Sequence, residues 1–146
     1  MLYGGAAGGG KSYALLADAA RGFNNPNFRG LLVRRTNDEL RELKMKSDEL
    51  YRRAFPGINW SAQNSEWQLP NGARLWLSYL EREDDVLRYQ GQAFTWIGFD
   101  ELTQWTTPYA WNYLASRLRT VDPSTGLYQR ATTNPGGPGH LWVKKM

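Results

Sequence analysis

The 146-residue chain contains no cysteine and a single histidine, His140. Disulfide bonds and thiolate metal sites are therefore excluded, and one histidine cannot form a zinc site alone. No apolar run approaches the ~20 residues needed to cross a bilayer. No basic-then-apolar segment opens the chain, so we expect neither a membrane span nor a secretory leader. His140 falls in a glycine- and proline-rich stretch that we predict to be a loop.

The net charge is weakly positive, at +4 with a pI near 9.5. This charge is compatible with a polyanionic partner and equally with ordinary solubility. Hydrophobic residues make up 41% of the chain, which is typical of a globular domain with one core. The seven tryptophans are expected to anchor the core or an interface.

The most informative segment is a glycine-rich stretch that ends in Lys-Ser and matches the phosphate-binding pattern G-x-x-x-x-G-K-[ST]. Its backbone N–H groups are expected to point at phosphate oxygens, with the N-terminus of the following helix adding positive potential. Lys11 would reach the β- and γ-phosphates, and the Ser12 hydroxyl would hold Mg²⁺. The predicted nucleotide-binding residues are Gly5, Ala6, Ala7, Gly8, Gly9, Gly10, Lys11 and Ser12.

The hydrophobic pattern predicts strands that alternate with helices. Asn71-Gly72 is a strong hairpin signal between two of the strands. Continuous apolar strands alternating with helices predict an α/β fold, a mainly parallel sheet sandwiched by helices. The strands are predicted at 30–34, 66–69, 73–79, 95–99 and 128–133, and the helices at 13–21, 36–54, 81–89 and 108–118.

Two acidic residues follow the apolar strand 95–99. Since ligands of such sheets bind at the carboxyl ends of the strands, Asp100 is a candidate to hold Mg²⁺. Glu101, where the chain turns, is a candidate to orient and deprotonate an attacking water. The alternative is a solvated acidic turn.

A second polar group follows the last strand. The Asn134 amide would reach the same edge of the sheet and sense the γ-phosphate. The alternative is a strand end with ordinary turn chemistry.

Five stretches together resemble the ATPase domain of the large terminase subunit, the motor that packages DNA into the heads of tailed phages. The resemblance implies a P-loop NTPase of the additional-strand, catalytic-glutamate type that uses ATP and Mg²⁺. It implies that Lys11 and Ser12 bind the nucleotide and Mg²⁺, that Asp100 holds Mg²⁺, and that Glu101 is the catalytic carboxylate. It also implies that Thr132, Thr133 and Asn134 couple hydrolysis to motion. The stretches are Gly5–Ser12, Leu32–Thr36, Arg88–Gln92, Trp96–Glu101 and Thr132–Pro135.

The chain departs from the family pattern inside the phosphate loop, where many relatives carry an arginine. The corresponding positions are Ala6, Ala7, Gly8 and Gly9. A charge-stabilising arginine must therefore come from elsewhere, and we predict that Arg88 acts across a subunit interface as an arginine finger. The alternative is a surface arginine on a charged helix.

The resemblance also implies partners. It implies double-stranded DNA, a portal protein, a small terminase subunit and a homo-oligomeric ring, in the host cytoplasm. DNA contacts would be to phosphates. However, acidic residues are interleaved with the candidate basic ones, which favours an ordinary solvated face. The candidates are Arg34, Arg35, Arg41, Lys44, Lys46, Arg52 and Arg53.

Residues 1–146 are expected to form one ATPase domain fragment. Few residues precede the phosphate loop, so we expect upstream adenine-contacting residues to be missing. Compared with the full length that the resemblance implies, we also expect the downstream nuclease domain to be absent. Three alternatives stay open: another nucleic-acid motor, such as a helicase or recombination ATPase, a small-molecule kinase, or a nucleotide-binding fragment that is inactive in isolation.

Overall fold

A computed structural model describes residues 2–3, 10–134 and 136–146. Helices and strands alternate along most of the chain, as the hydrophobic pattern predicts. Two 3-10 helices, Glu83–Tyr89 and Leu102–Gln104, interrupt this order. The strands and α-helices in chain order are β1 (Leu2–Tyr3), α1 (Gly10–Ala20), β2 (Arg29–Arg34), α2 (Asn37–Ala54), β3 (Asn59–Ser61), β4 (Glu66–Gln68), β5 (Arg74–Tyr79), β6 (Trp96–Phe99), α3 (Tyr109–Ala115), β7 (Tyr128–Thr132) and α4 (His140–Lys144).

The described strands form one sheet in the order β1-β7-β6-β2-β5-β4-β3. The five strands from β1 to β5 in this order run parallel, whereas β4 and β3 run antiparallel at one edge. The mainly parallel sheet predicted from the sequence is therefore confirmed. Strand β7 comes last along the chain but lies between β1 and β6, so its end adjoins both the phosphate-loop strand and the acidic strand.

Helices cover both faces of the sheet because successive strand residues point to opposite faces. In β2, Leu32 packs with α1 and α2 on one face, while Leu31 and Val33 pack with the other core. The second core contains α3 and both 3-10 helices, through residues such as Leu102 and Leu114. Helices on both faces leave the carboxyl edge of the sheet as the place where a ligand is accessible.

Local signals fixed two of the boundaries. Helix α2 begins after Thr36, whose side chain accepts a hydrogen bond from the Glu39 N–H. The predicted hairpin joins β4 to β5, with Gly72 in the left-handed region at φ 103°. None of the helices within the described residues has the length and apolar character that a membrane crossing needs.

The helical connection predicted at 81–89 is confirmed and is a 3-10 helix over Glu83–Tyr89. Two other expectations about elements were wrong in detail. The helix predicted at 108–118 ends at Ala115. Residues 117–119 instead bond to Phe94 alongside β6. His140 lies at the start of α4 rather than in a loop, because the segment docks on the second 3-10 helix: Trp142 Nε1 donates to the Trp105 carbonyl at 2.8 Å.

Candidate nucleotide site

The carboxyl edge of the parallel sheet brings together polar side chains from four separate segments. Lys11 and Ser12 lie in the first turn of α1, and Ser12 Oγ donates to Asp100 Oδ2 at 2.8 Å. Lys11 Nζ donates to Asn134 Oδ1 at 2.7 Å and to the Thr133 carbonyl at 2.5 Å. The end of the phosphate motif therefore meets both polar groups that follow β6 and β7. Of that motif, Gly5, Ala6, Ala7, Gly8 and Gly9 lie outside the described residues, as does Pro135.

Asp100 is the most buried carboxylate of this edge, with 1% of its side chain exposed. Its Oδ1 accepts a hydrogen bond from Thr132 Oγ1 at 2.6 Å. Its Oδ2 accepts from Ser12 and also from Arg34 Nη1, at 2.8 Å in each case. These bonds from a hydroxyl on each side and a guanidinium compensate for the loss of water around the charge.

Glu101 has an unusual backbone conformation, in the left-handed region at φ 60° and ψ 61°. This conformation costs an L-residue about 1–2 kcal/mol. In a continued strand, Glu101 would face away from Asp100. The turn instead brings its carboxylate to the same edge, where Oε2 accepts from Arg34 Nη2 at 2.6 Å and Oε1 accepts from Asn134 Nδ2 at 2.8 Å.

Electrostatics differ between the carboxyl groups near Arg34. Burial raises the pKa of Glu101, and the positive charge of Arg34 opposes this rise. Burial also acts to raise the pKa of Glu39, but hydrogen bonds from Arg34 and Thr36 outweigh burial, so the pKa of Glu39 is lowered. A carboxylate with a raised pKa is a better proton acceptor near neutral pH, which is the property a general base requires.

The sequence made Arg34 a candidate for contacts with DNA, but the structure shows that its side chain is buried. Its side chain is only 6% exposed, and Nη2 also donates to Glu39 Oε2 at 2.7 Å. Burial acts to lower the pKa of Arg34, but the negative charge of Asp100 and the contacts with Glu39 and Glu101 outweigh burial, so the pKa is raised. The signal that the sequence offered was its position as the last residue of the predicted strand 30–34, because parallel strands end at the same edge of the sheet. We call Arg34, Glu39, Asp100 and Glu101 the carboxylate cluster.

The predicted arginine finger, Arg88, contacts residues of its own 3-10 helix. It lies in the first 3-10 helix with 45% of its side chain exposed, and it contacts Asp85 and the Tyr89 ring. Action from a second subunit therefore stays a prediction.

The basic residues of α2 support the interpretation of a solvated face, since most of them pair with acidic residues of the same helix. Arg41 pairs with Asp38, Lys46 with Glu42, and both Lys44 and Arg52 with Asp48. Arg35 donates to the Glu81 carbonyl. Nothing in this arrangement marks α2 as a DNA-binding surface.

The donors at this edge fit Mg²⁺ better than a transition metal. Within the described ranges, no group of three or more His, Cys, Asp or Glu side chains is arranged to hold a metal ion. What is present is a hydroxyl and a carboxylate oxygen 2.8 Å apart, on Ser12 and Asp100. Mg²⁺ accepts this kind of oxygen set, because it takes few protein ligands and completes its shell with phosphate and water.

A parallel sheet whose carboxyl edge joins a Lys-Ser helix start to an Asp-Glu pair defines the class of P-loop NTPases. The profile of the family described as "Terminase large subunit, T4likevirus-type, N-terminal" matches residues 2–138. The chain therefore belongs to this terminase large-subunit family. No curated protein sequence matches this one significantly.

Solved structures show the same fold at low sequence identity. The large terminase of a thermophilic bacteriophage is 14% identical, with a TM-score of 0.74 over 100% of this chain and 36% of that chain. The N-terminal domain of the DNA packaging ATPase of bacteriophage phi29 is 17% identical, with a TM-score of 0.69 over 98% of this chain and 78% of that chain. The thermophilic phage's terminase in complex with ADP gives 13% identity and a TM-score of 0.64, over 91% and 32% of the two chains. This chain thus spans about a third of the thermophilic phage's terminase.

Proposed function

We propose that this chain is the Mg²⁺-dependent, ATP-hydrolysing domain of a motor that drives double-stranded DNA into a viral procapsid. The observation that carries the proposal is the bonding of Lys11 and Ser12 to Asn134 and Asp100 at one edge of the sheet. Family membership and the structural likeness to a terminase solved with ADP support it.

Nucleotide binding would exchange partners at Lys11. The ammonium group contacts the Asn134 side chain and the Thr133 carbonyl. A triphosphate would offer it charged oxygens instead, which form stronger hydrogen bonds than a neutral amide or carbonyl. The segment after β7 would therefore lose two contacts to α1 when the nucleotide arrives. This exchange gives Thr132, Thr133 and Asn134 a physical basis for the proposed coupling role.

Ser12 and Asp100 would hold the metal ion. Bound there, Mg²⁺ would neutralise phosphate charge as hydrolysis proceeds. Arg34, on the same carboxylate oxygen as Ser12, is also bonded to Glu39 and Glu101. This pairing offsets part of the guanidinium charge that would otherwise oppose a cation nearby.

Glu101 would orient the attacking water and take its proton. Its oxygens are bonded to Arg34 and Asn134, and each carboxylate oxygen has a second lone pair that can accept from water. The raised pKa of Glu101 favours proton transfer at neutral pH. The placement of β7 between β1 and β6 supports the additional-strand, catalytic-glutamate subclass.

The remaining parts of the proposal come from the family. They are Arg88 as a finger acting in trans, a homo-oligomeric ring, a portal protein, a small terminase subunit and action in the host cytoplasm. We also propose that residues 1–146 are the ATPase part of a longer protein.

The test measures nucleotide binding and turnover separately. Lys11→Ala should abolish MgATP binding by calorimetry, whereas Glu101→Gln should bind MgATP within about threefold of wild type and lose at least ~100-fold in turnover. Arg41→Ala, on the exposed face of α2, serves as the control. Unchanged ATP binding in Lys11→Ala would end the proposal.

The motor function is tested by adding DNA. The full-length protein should hydrolyse ATP faster with double-stranded DNA than without it, and no single-stranded DNA should be needed. Binding without turnover in the 146-residue chain would show that the domain is inactive in isolation. Full-length protein that ignores DNA would refute the motor.

A further inference from the structure

Thr132 is the one described side chain that bonds to both members of the acidic pair through a single oxygen. It is the last residue of β7 and is fully buried. Its Oγ1 lies 2.6 Å from Asp100 Oδ1 and 2.7 Å from the main-chain nitrogen of Glu101. The Glu101 N–H can only donate, so Oγ1 accepts that bond and its single proton goes to Asp100.

Each of these two bonds constrains a different property of the site. The bond to Oδ1 fixes the rotation of the Asp100 carboxylate and leaves Oδ2 facing Ser12. The bond from the Glu101 N–H holds the peptide at the point where the backbone enters its left-handed turn. Residues held in that region persist only when their surroundings over-determine them.

We propose that Thr132 is a positioning residue for catalysis. It sets the orientation of the metal-holding carboxylate through its side-chain proton, and it sets the direction of the Glu101 side chain by pinning the strained turn. This role rests on the proposed ATPase function and is separate from the coupling role of the same segment. Because β7 lies between β1 and β6, one hydroxyl at its end is placed to do both.

The perturbation is Thr132→Val, which keeps the shape of the side chain and removes the hydroxyl. Thr95→Val is the matched control. Thr95 is also buried, and its Oγ1 also accepts a hydrogen bond from a backbone N–H, that of Arg29 at 2.9 Å. It lies directly before β6, at the amino-terminal end of the strand, whereas the nucleotide edge is at the carboxyl end. A general effect of removing a buried hydroxyl should therefore appear in both variants.

The first readout is the affinity for ADP by calorimetry, with Mg²⁺ and with EDTA. Thr132→Val should reduce the gain that Mg²⁺ confers by about 10-fold, the effect typical of a residue that orients a metal ligand. Its affinity in EDTA should stay within about twofold of wild type. Turnover should fall about 10- to 100-fold with little change in KM, whereas Thr95→Val should match wild type in the Mg²⁺ effect.

A second pair keeps the test valid if the valine variant does not fold. Thr132→Ser and Thr132→Ala both lack the methyl group, and only serine keeps the hydroxyl. Serine should restore the Mg²⁺ effect to within about threefold of wild type, and alanine should not. Equal behaviour of the two, or a Thr132→Val variant that matches Thr95→Val, would overturn the positioning role. Wild-type protein that fails to bind MgADP would instead overturn the ATPase function and this inference with it.

Discussion

Replacing Arg34 with methionine removes the guanidinium that is bonded to both the Asp100 and the Glu101 carboxylates. Breaking a buried ion pair by removing one partner typically costs 3–5 kcal/mol. We expect a value near the lower limit, because Asp100 keeps the hydrogen bonds from Ser12 and Thr132. The other partners of Arg34 are about a quarter exposed, so water partly replaces the guanidinium there.

The predicted loss is therefore about 3 kcal/mol in the free energy of unfolding, or about 6–12 °C in Tm for a domain of this size. Urea denaturation followed by tryptophan fluorescence at pH 7 measures it as a lower midpoint with an unchanged slope. Arg41→Met is the control, because Arg41 and its partner Asp38 are both largely exposed, and it should change stability by less than about 0.5 kcal/mol.

The loss should also depend on pH in a defined direction. In the wild type, the lowered pKa of Glu39 contributes stability that is present above its ordinary value of 4.5 and is lost as the pH falls below it. Without Arg34, the carboxyl groups of Glu39 and Glu101 take up protons more readily in the folded state. The difference between wild type and Arg34→Met should therefore shrink between pH 6 and about pH 4. A variant as stable as Arg41→Met at pH 7, or a gap that widens in acid, would refute this account.

Two further predictions concern stability away from the site. Hydrogen bonds from Ser124 lower the pKa of Asp122 from 3.8 to about 2, so its contribution to folding stability is present above about pH 4 and is lost as the pH falls toward 2. The Tm of Asp122→Asn should therefore lie below that of wild type at neutral pH and converge with it near pH 2. A difference in Tm that stays constant with pH would contradict this assignment. The Tyr51 hydroxyl donates to the Leu16 carbonyl at 2.6 Å and so connects α2 with α1. Tyr51→Phe should lower the free energy of unfolding, measured by urea titration, by about 0.5–1.5 kcal/mol. An unchanged urea midpoint would contradict this prediction.

The sequence predicts best where a local pattern decides the structure. Apolar runs located the central strands β2 and β6, and Asn71-Gly72 located the hairpin. Because parallel strands end at one edge, the same pattern also predicted that the residues after β6 and β7 lie close to the start of α1. The structure shows this proximity in the hydrogen bonds of Ser12 to Asp100 and of Lys11 to Asn134.

Elements that depend on distant contacts were not predicted. Strand β3 has three residues and exists through its pairing with β4, and α4 has five residues that dock on the second 3-10 helix. Arg34 shows the same limit within the site. Its neighbours along the chain allow either a surface arginine or a buried one, and the partners that bury it, Asp100 and Glu101, lie far away in the sequence.

The position of β7 has a consequence for how the domain reaches its native state. The pairing of Leu2 with Ala131 joins residues that are far apart in the sequence, and β1 meets the rest of the sheet through β7. During synthesis, β2, β5 and β6 are complete before residues 128–132 leave the ribosome, whereas the bonds of Thr132 and Asn134 at the nucleotide edge have to wait for β7. Such high contact order slows folding. A chain that stops before Tyr128 would therefore keep Ser12, Arg34, Asp100 and Glu101 but lose the contacts that Thr132 and Asn134 make with Asp100, Glu101 and Lys11.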